Sequence, residues 1–114
     1  MAIERKLSPT HEAPYRGLRV LDFGQGIASP YCAMLLGVYG AEVIKVEPPT
    51  GDMVRASAPS RHQHFGALFL NLNRNKRAIV LDLKSPQAID VMRKLIAGVD
   101  VLAHNMRPGA LKRA

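Results

Sequence analysis

The sequence predicts an α/β fold in which covering helices flank a mostly parallel sheet. Short apolar segments alternate with helical ones along the chain, an order typical of parallel sheets. The apolar segments are continuous rather than alternating, as expected for strands that are buried on both faces. Two serine–proline pairs, Ser29-Pro30 and Ser85-Pro86, predict helix starts with serine as the N-cap. At 114 residues, the chain fits one small domain or a piece of a larger one.

The first predicted unit is a strand, a helix and a second strand. Residues 18–23 are apolar and bounded by glycines, which predicts a strand. After a loop at residues 24–28, the helix runs from the first serine–proline pair to a stop at Gly40. Residues 41–47 form the second strand, because the two prolines that follow cannot continue a hydrogen-bonded ladder.

The second predicted unit repeats this pattern after a long loop at residues 48–64 and a short apolar helix at residues 65–72. Residues 77–83 form a strand, with a buried apolar run over its middle. The second serine–proline pair begins a helix with one apolar face. Residues 101–104 form the fourth strand, and residues 108–111 begin another helix.

The chain ends suggest a segment of a larger domain. Residues 1–16 are polar and predict a flexible leader before an ordered segment at residues 17–114. The last predicted helix has no stop signal, so we expect the sequence to be truncated there. The leader lacks the apolar stretch of a secretory signal, and no apolar run reaches the roughly 18 residues of a membrane span. The single cysteine, Cys32, excludes an internal disulfide. We therefore expect a cytoplasmic protein without a membrane partner.

The net charge indicates an anionic partner without naming it. Lysine and arginine total 16 against 9 acidic residues, a formal net charge of +7. The basic residues form no single block, and aromatic residues, at 5%, are too few for an obvious base-stacking platform. A phosphorylated small molecule, a nucleic acid and a merely solvated basic surface all remain compatible with the charge.

Two motifs have both a functional and a structural interpretation. Gly24, Gly26 and Ser29 follow the first strand in a spacing similar to a dinucleotide-binding motif, and Glu47 would then meet a ribose hydroxyl. Glycines are also common in turns, so the motif alone is weak. The basic segment at residues 71–77 could hold a phosphate or form a solvated turn.

Several other polar residues fit structural roles better. Asp22 and Asp82 lie near strand ends, where paired or capping aspartates are more common than catalytic ones. Cys32 lies on an apolar helix, which predicts a buried and inert thiol. The histidines have no nearby carboxylate or cysteine that would complete a metal site. Lys84 and Asn105, by contrast, follow strand ends, where open α/β sheets bind ligands.

A set of longer motifs resembles a known family. They are GLRVLD at residues 17–22, GAEVIKVE at 40–47, Gly51-Asp52 with Arg55, NRNKRAIVLDLK at 73–84 and NMRPG at 105–109. Together they resemble the N-terminal segment of the family III CoA-transferases of the CaiB/BaiF type. This family includes formyl-CoA transferase and α-methylacyl-CoA racemase.

The resemblance implies a Rossmann-like fold, incomplete here, in a protein whose two subunits are interlocked. It implies transfer of CoA between an acyl-CoA and a carboxylic acid through an aspartyl intermediate, with CoA as substrate and no cofactor, metal or nucleic acid. The family's nucleophilic aspartate lies beyond residue 114, so no catalytic residue is expected in this chain, which alone should be inactive. An acyl-CoA racemase, or a CoA- or nucleotide-binding module without catalysis, remains an alternative.

The resemblance also implies CoA-contacting positions. They lie after the first, third and fourth predicted strands and in the last helix: Gln25, Gly26, Ile27, Leu81, Lys84, Asn105, Met106 and Arg113. The leucine and lysine match positions near the adenine and phosphates, and the arginine matches a phosphate-binding one. Two residues depart from the family pattern: Met106 replaces a common aromatic residue, and Pro48 stands where some members have an arginine.

Overall fold

The computed structural model describes residues 13–113 and confirms the predicted α/β fold. Within this range a parallel sheet contains four strands: β1 (Arg19–Asp22), β2 (Glu42–Glu47), β3 (Lys76–Val80) and β4 (Val101–Ala103). The helices of the described chain are α1 (Ala28–Val38), α2 (Ala67–Leu72), α3 (Pro86–Ala97) and α4 (Ala110–Arg113), with a 3-10 helix at Met53–Ala56.

The strand order β3-β2-β1-β4 places a topological switch between β1 and β4. The chain first builds the sheet outward from β1 to β3 and then returns to add β4 on the other side of β1. In the register of the sheet, Val20 of β1 lies between Val43 of β2 and Val101 of β4. Loops that leave β1 and β4 in opposite directions open a crevice at the carboxyl edge of such sheets.

The two central strands are buried on both faces, as the apolar pattern predicts. Val20 packs with Ala33 of α1 and Val43, all nearly inaccessible to solvent. The next residue, Leu21, packs on the opposite face with Val46 and with Met92 of α3. Because successive side chains of a strand point to opposite faces, β1 supplies both apolar clusters.

The third strand departs from the prediction of a buried apolar run. β3 is an edge strand of the described sheet and ends at Val80. Ala78 is exposed and Val80 is 62% exposed. The apolar composition of this strand predicts burial on both faces, whereas the described chain covers only the face that bears Ile79.

Helix α1 also begins differently from the prediction. Its N-cap is Ile27, which makes no side-chain capping hydrogen bond, so Ser29 is not the cap. Ser29 instead lies inside the first turn, where its Oγ donates a 3.1 Å hydrogen bond to Asp22 Oδ1. The expectation of a buried thiol is also wrong, because Cys32 is exposed. Gly40 ends the helix as predicted, with a φ of +107°.

Most of the predicted leader lies outside the described residues. Residues 13–16 form a turn, in which the Tyr15 amide donates a 2.9 Å hydrogen bond to the Tyr39 carbonyl. The two tyrosine rings meet edge to face with centroids 6.3 Å apart. No helix between residues 13 and 113 is both long and apolar enough to cross a membrane.

Candidate functional site

An open cleft of about 540 Å³ lies at the carboxyl edge of the sheet. Its walls are the loops after all four strands together with the ends of β2 and the 3-10 helix. The lining side chains are Phe23, Gln25, Val46, Pro48, Pro49, Met53, Leu81, Asp82, Leu83, Lys84, Asn105 and Met106. Most are apolar, and the lysine is the one basic residue among them. The cleft therefore suits a ligand with an apolar part and an anionic part.

Five of the eight residues singled out in the sequence come together in this cleft: Gln25, Leu81, Lys84, Asn105 and Met106. The other three do not line it. Gly26 is buried in the loop behind Gln25, and Ile27 is 58% exposed at the start of α1. Arg113 is exposed on α4.

Asn105 joins the loop after β4 to the loop after β1. Its Oδ1 accepts a 3.1 Å hydrogen bond from the Gln25 amide, and its Nδ2 donates a 2.7 Å bond to the Gln25 carbonyl. The side-chain amide thus pairs with the backbone of one residue across the switch point. Because both ends of the amide are used, Asn105 shapes the cleft wall by holding Gln25 in place.

Gly24 must be a glycine for this junction to close. A Cβ atom at this position would lie 2.2 Å from Ser29 Cβ and 2.9 Å from Asn105 Oδ1. Neither neighbour has room to move, because Ser29 is in the first turn of α1 and Asn105 is bonded to Gln25. The glycine motif therefore has a structural reason in this chain: it lets α1 and the loop after β4 approach each other.

Four charged side chains are buried together behind the cleft: Asp22, Lys45, Asp52 and Lys76, which we call the buried charge cluster. The Lys45 ammonium lies 2.8 Å from Asp52 Oδ2 and 3.7 Å from Asp22 Oδ2, and the Lys76 ammonium lies 2.8 Å from the same Asp22 oxygen. All four side chains are at most 2% exposed. With two lysines and two aspartates, the cluster is neutral overall, which reduces the cost of burying its charges.

The buried charge cluster was missed in the sequence. Lysine is rarely buried without a partner, so Lys45 in a strand reads as a solvent-facing residue. One available signal was its place between Ile44 and Val46, in a strand predicted to be covered on both faces. The other acidic partner, Asp52, also caps the 3-10 helix in the structure, where it accepts a 3.0 Å hydrogen bond from the Val54 amide.

In the basic segment at residues 71–77, the lysine has a structural role. Lys76 donates 2.8 Å hydrogen bonds to the Pro30 carbonyl and to Asn73 Oδ1, in addition to its pair with Asp22. Arg77 pairs with Glu42 at the other edge of the sheet. These contacts correct the hypothesis that this segment presents its lysine to a phosphate.

Glu47 does not meet the requirement of the dinucleotide motif. Its carboxylate is 3% exposed and accepts two 2.7 Å hydrogen bonds from the Arg55 guanidinium. A third bond, of 2.9 Å, comes from the Asp52 amide. Since the carboxylate is buried and bonded to Arg55 and Asp52, a ribose hydroxyl has no access to Glu47 in this structure. The guanidinium itself lies 3.7 Å from the centre of the Phe69 ring, which anchors the long loop to α2.

Hydrogen bonds and neighbouring cations hold the pKa values of Asp52 and Glu47 below their usual range. Burial raises the pKa of Asp52, but the Lys45 ammonium and the amides of Val54 and Gly26 lower it more, so the net pKa is below its usual range. For Glu47, burial likewise raises the pKa, and the bonds from Arg55 and Asp52 outweigh that effect. Burial lowers the pKa of the Lys76 ammonium by more than its pairing with Asp22 raises it.

Asp82 and His104 each accept a hydrogen bond from a nearby backbone amide. Asp82 caps a turn at the cleft, where its Oδ1 accepts a 3.1 Å hydrogen bond from the Lys84 amide. The His104 ring accepts a 3.3 Å bond from the Met106 amide through Nδ1. Between residues 13 and 113, no three histidine, cysteine or carboxylate side chains are grouped so that they could hold a metal ion.

Comparisons with known proteins agree on one family. The family model described as CoA-transferase family III matches residues 15–114. The chain is 42% identical to the β subunit of succinyl-CoA–L-malate CoA-transferase of Chloroflexus aurantiacus, over 91% of this chain and 26% of that protein. It is 44% identical to formyl-CoA:oxalate CoA-transferase of Rhodopseudomonas palustris, over 85% of this chain and 23% of that protein. The chain thus spans about a quarter of the length of these curated relatives.

Solved structures lead to the same family. A CaiB/BaiF family protein from Brucella suis superposes with a TM-score of 0.83 at 33% identity, over 90% of this chain and 28% of that chain. The hypothetical protein Rv3272 from Mycobacterium tuberculosis gives a TM-score of 0.80 at 39% identity, over 89% of this chain and 28% of that chain. The motifs, the fold and these similarities agree: the chain belongs to CoA-transferase family III.

Proposed function

We propose that this chain supplies one wall of a CoA-binding site in an enzyme that moves CoA from an acyl-CoA to a carboxylic acid. The observation that carries the proposal is the cleft at the switch point of the sheet. Five predicted CoA-contacting residues from three separate loops meet there, although up to 81 positions separate them in sequence: Gln25, Leu81, Lys84, Asn105 and Met106.

The composition of the cleft supports CoA as the ligand. Leu81 and Met106 offer apolar surface of the kind that an adenine ring contacts, and Lys84 offers an ammonium group for a phosphate. Lys84 is exposed and begins the turn into α3, so its side chain can reach an anion at the mouth of the cleft. Gly26, Ile27 and Arg113 lie outside the lining, and we expect them to contact only the parts of CoA that extend beyond the cleft.

The names of the relatives support the reaction class. The two named above transfer CoA from succinyl-CoA to L-malate and from formyl-CoA to oxalate, so in both cases the acceptor is a carboxylic acid. We infer that the whole enzyme works through an aspartyl intermediate, because a carboxylate that forms anhydride and thioester intermediates divides a difficult exchange into easier steps. That aspartate lies beyond residue 114, so this chain alone should bind CoA without transferring it. An acyl-CoA racemase would use the same CoA site.

A stand-alone nucleotide-binding module is the competing function. It rests on the glycine motif and on Glu47, and the carboxylate oxygens of Glu47 are held by Arg55 and Asp52. The geometry therefore favours CoA over a dinucleotide. For the whole enzyme we expect a cytoplasmic interlocked homodimer that binds neither nucleic acid nor membrane and needs no cofactor besides its CoA substrates.

Calorimetric titration with CoA and with NAD tests the proposal, with two lysine variants as probe and control. Lys84→Gln removes the ammonium at the cleft, and Lys94→Gln removes another exposed ammonium near the other end of α3. We expect CoA to bind more tightly than NAD, and Lys84→Gln to weaken CoA binding about fivefold, or about 1 kcal/mol. Lys94→Gln should bind like the unmodified chain. Preference for NAD, or equal effects of the two variants, would contradict the proposal.

A further inference from the structure

We propose that Lys45 and Asp52 are positioning residues: they fix the loop at residues 24–26 in the shape that presents Gln25 to the ligand cleft. The inference deepens the proposed CoA site and rests on it. Neither residue lines the cleft, so neither is expected to touch the ligand. They act on it through the backbone of the loop in front of them.

The polar backbone atoms of the loop are held one after another by side chains. The Gly24 amide donates a 3.1 Å hydrogen bond to Asp22 Oδ1, and the Gly24 carbonyl accepts a 3.1 Å bond from Lys45 Nζ. The Gly26 amide donates a 3.1 Å bond to Asp52 Oδ1. Between the two glycines, Asn105 bonds both backbone groups of Gln25. Both backbone groups of Gln25 are thus held, and its side chain is left to meet the cleft.

In this loop, side chains make the backbone hydrogen bonds that neighbouring backbone groups would make in a helix or strand. The loop lies outside both β1 and α1, and Gly26 has a φ of +79°, a conformation that glycine adopts without strain. Without bonds from outside, such a segment would sample many conformations, and a ligand would have to order it at a cost in affinity. Charged hydrogen-bond partners in a buried site are strong enough to select one conformation.

Asp52 has a second effect on the cleft. The same Oδ1 that accepts from Gly26 accepts from the Val54 amide, at the start of the 3-10 helix that carries Met53. Met53 is 69% exposed and lines the cleft beside the loop after β1, where its Sδ would lie 3.7 Å from a Cβ atom at Gly26. One carboxylate oxygen therefore links two walls of the cleft, and Lys45, 2.8 Å from the other oxygen, keeps that carboxylate in place.

The first test is amide hydrogen exchange on the unmodified chain without ligand. Because the Gly26 amide bonds a buried carboxylate, we expect it to exchange at least about a hundredfold more slowly than in an unstructured chain. Exchange at the unstructured rate would overturn the inference, because a loop that opens freely is not held. This measurement needs no variant and does not depend on CoA binding.

The second test is the variant Asp52→Asn, which keeps an oxygen for the Gly26 and Val54 amides and removes the charge that Lys45 holds. We expect CoA affinity to fall about tenfold, and Gly26 to lose about tenfold more exchange protection than the sheet amide of Ile44. The control is Val43→Ala, which removes apolar packing between β2 and α1, away from the cleft. It should bind CoA as the unmodified chain does even if it is equally destabilised.

The outcomes separate the two proposals. If the unmodified chain fails to bind CoA, the proposed function fails, and slow exchange at Gly26 still supports the held loop. If it binds CoA and Asp52→Asn binds equally well, or if Val43→Ala weakens binding as much, the positioning role fails alone. If Asp52→Asn does not fold, exchange at Gly26 in the unmodified chain decides.

Discussion

The two edges of the sheet differ in how far their paired charged side chains are exposed to solvent. At the carboxyl edge, the buried charge cluster and the Glu47 carboxylate are almost removed from solvent, and Arg55, which pairs with Glu47, is 22% exposed. At the amino edge, Glu42 pairs with Arg19 at 3.3 Å and with Arg77, and these side chains are between 41% and 70% exposed.

This difference shows where the fold uses charge to define structure. Exposed ion pairs contribute little, because water and salt screen them and long side chains lose freedom in forming them. Buried charges are costly unless every one has a partner, so they tolerate few arrangements of the surrounding chain. The carboxyl edge, which carries the cleft, is therefore the more sharply specified of the two.

The largest expected effect comes from removing one member of the buried charge cluster. Lys45→Met keeps the volume of the side chain and leaves Asp22 and Asp52 with one lysine between them. We expect the free energy of unfolding, measured by chemical denaturation, to fall by about 3–5 kcal/mol. That loss is a large share of the stability of a small domain, so partial unfolding is also expected. A loss below about 1 kcal/mol would mean that the cluster is not buried as described.

A smaller effect is expected at the Glu47–Arg55 pair. Arg55→Lys keeps the positive charge but loses the fork that bonds both carboxylate oxygens and the stacking on Phe69. We expect a loss of about 2 kcal/mol in the same denaturation measurement. Stability equal to that of the unmodified chain would show that charge alone, without the planar fork, holds the long loop.

Lowering the pH should reduce the free energy of unfolding through two carboxyl groups at the carboxyl edge, Asp52 and Glu47. In the folded chain, the pKa values of Asp52 and Glu47 are below their usual range. At any pH between the folded and the unfolded pKa of such a group, the unfolded chain therefore binds more protons than the folded chain does. Stability from these groups is complete above about pH 5 and falls as the pH drops through their folded pKa values. The unfolding free energy of Asp52→Asn should therefore depend less on pH in this range. An identical acid profile would contradict the lowered pKa of Asp52.

The smallest effect is expected at the amino edge. Glu42→Gln removes the carboxylate that pairs with Arg19 and Arg77, both of which stay in contact with water. We expect a loss below about 1 kcal/mol, which disappears at about 1 M salt. A loss as large as that of Lys45→Met would erase the distinction between the two edges.

The sequence predicts most of the sheet because local patterns determine it. Glycine or proline bounds the first two apolar segments on both sides. The structure places strands at all four predicted segments, although three end earlier than predicted, at Asp22, Val80 and Ala103. Motif resemblance also identifies five residues that meet in the cleft. These features depend on neighbours in sequence or on motifs that are visible in one chain.

Apart from the strand ends, the errors concern contacts that form only in the folded chain. Ser29 fits an N-cap locally, but in the folded chain its hydroxyl donates a hydrogen bond to Asp22 instead. The burial of Lys45 was not predicted, because its partners Asp22 and Asp52 are brought to it only by the fold. Helix α1 is apolar on both sides, so its sequence could not predict which face, such as the one bearing Cys32, the described chain leaves exposed.

The most direct measurement is a map of amide chemical shifts as CoA is added to the isotope-labelled chain. If the carboxyl edge binds CoA, the largest changes should occur at Gln25, Lys84 and Met106, while Arg19 and Glu42 at the amino edge should stay unchanged. Shifts confined to the amino edge, or no shifts at millimolar CoA, would contradict the account.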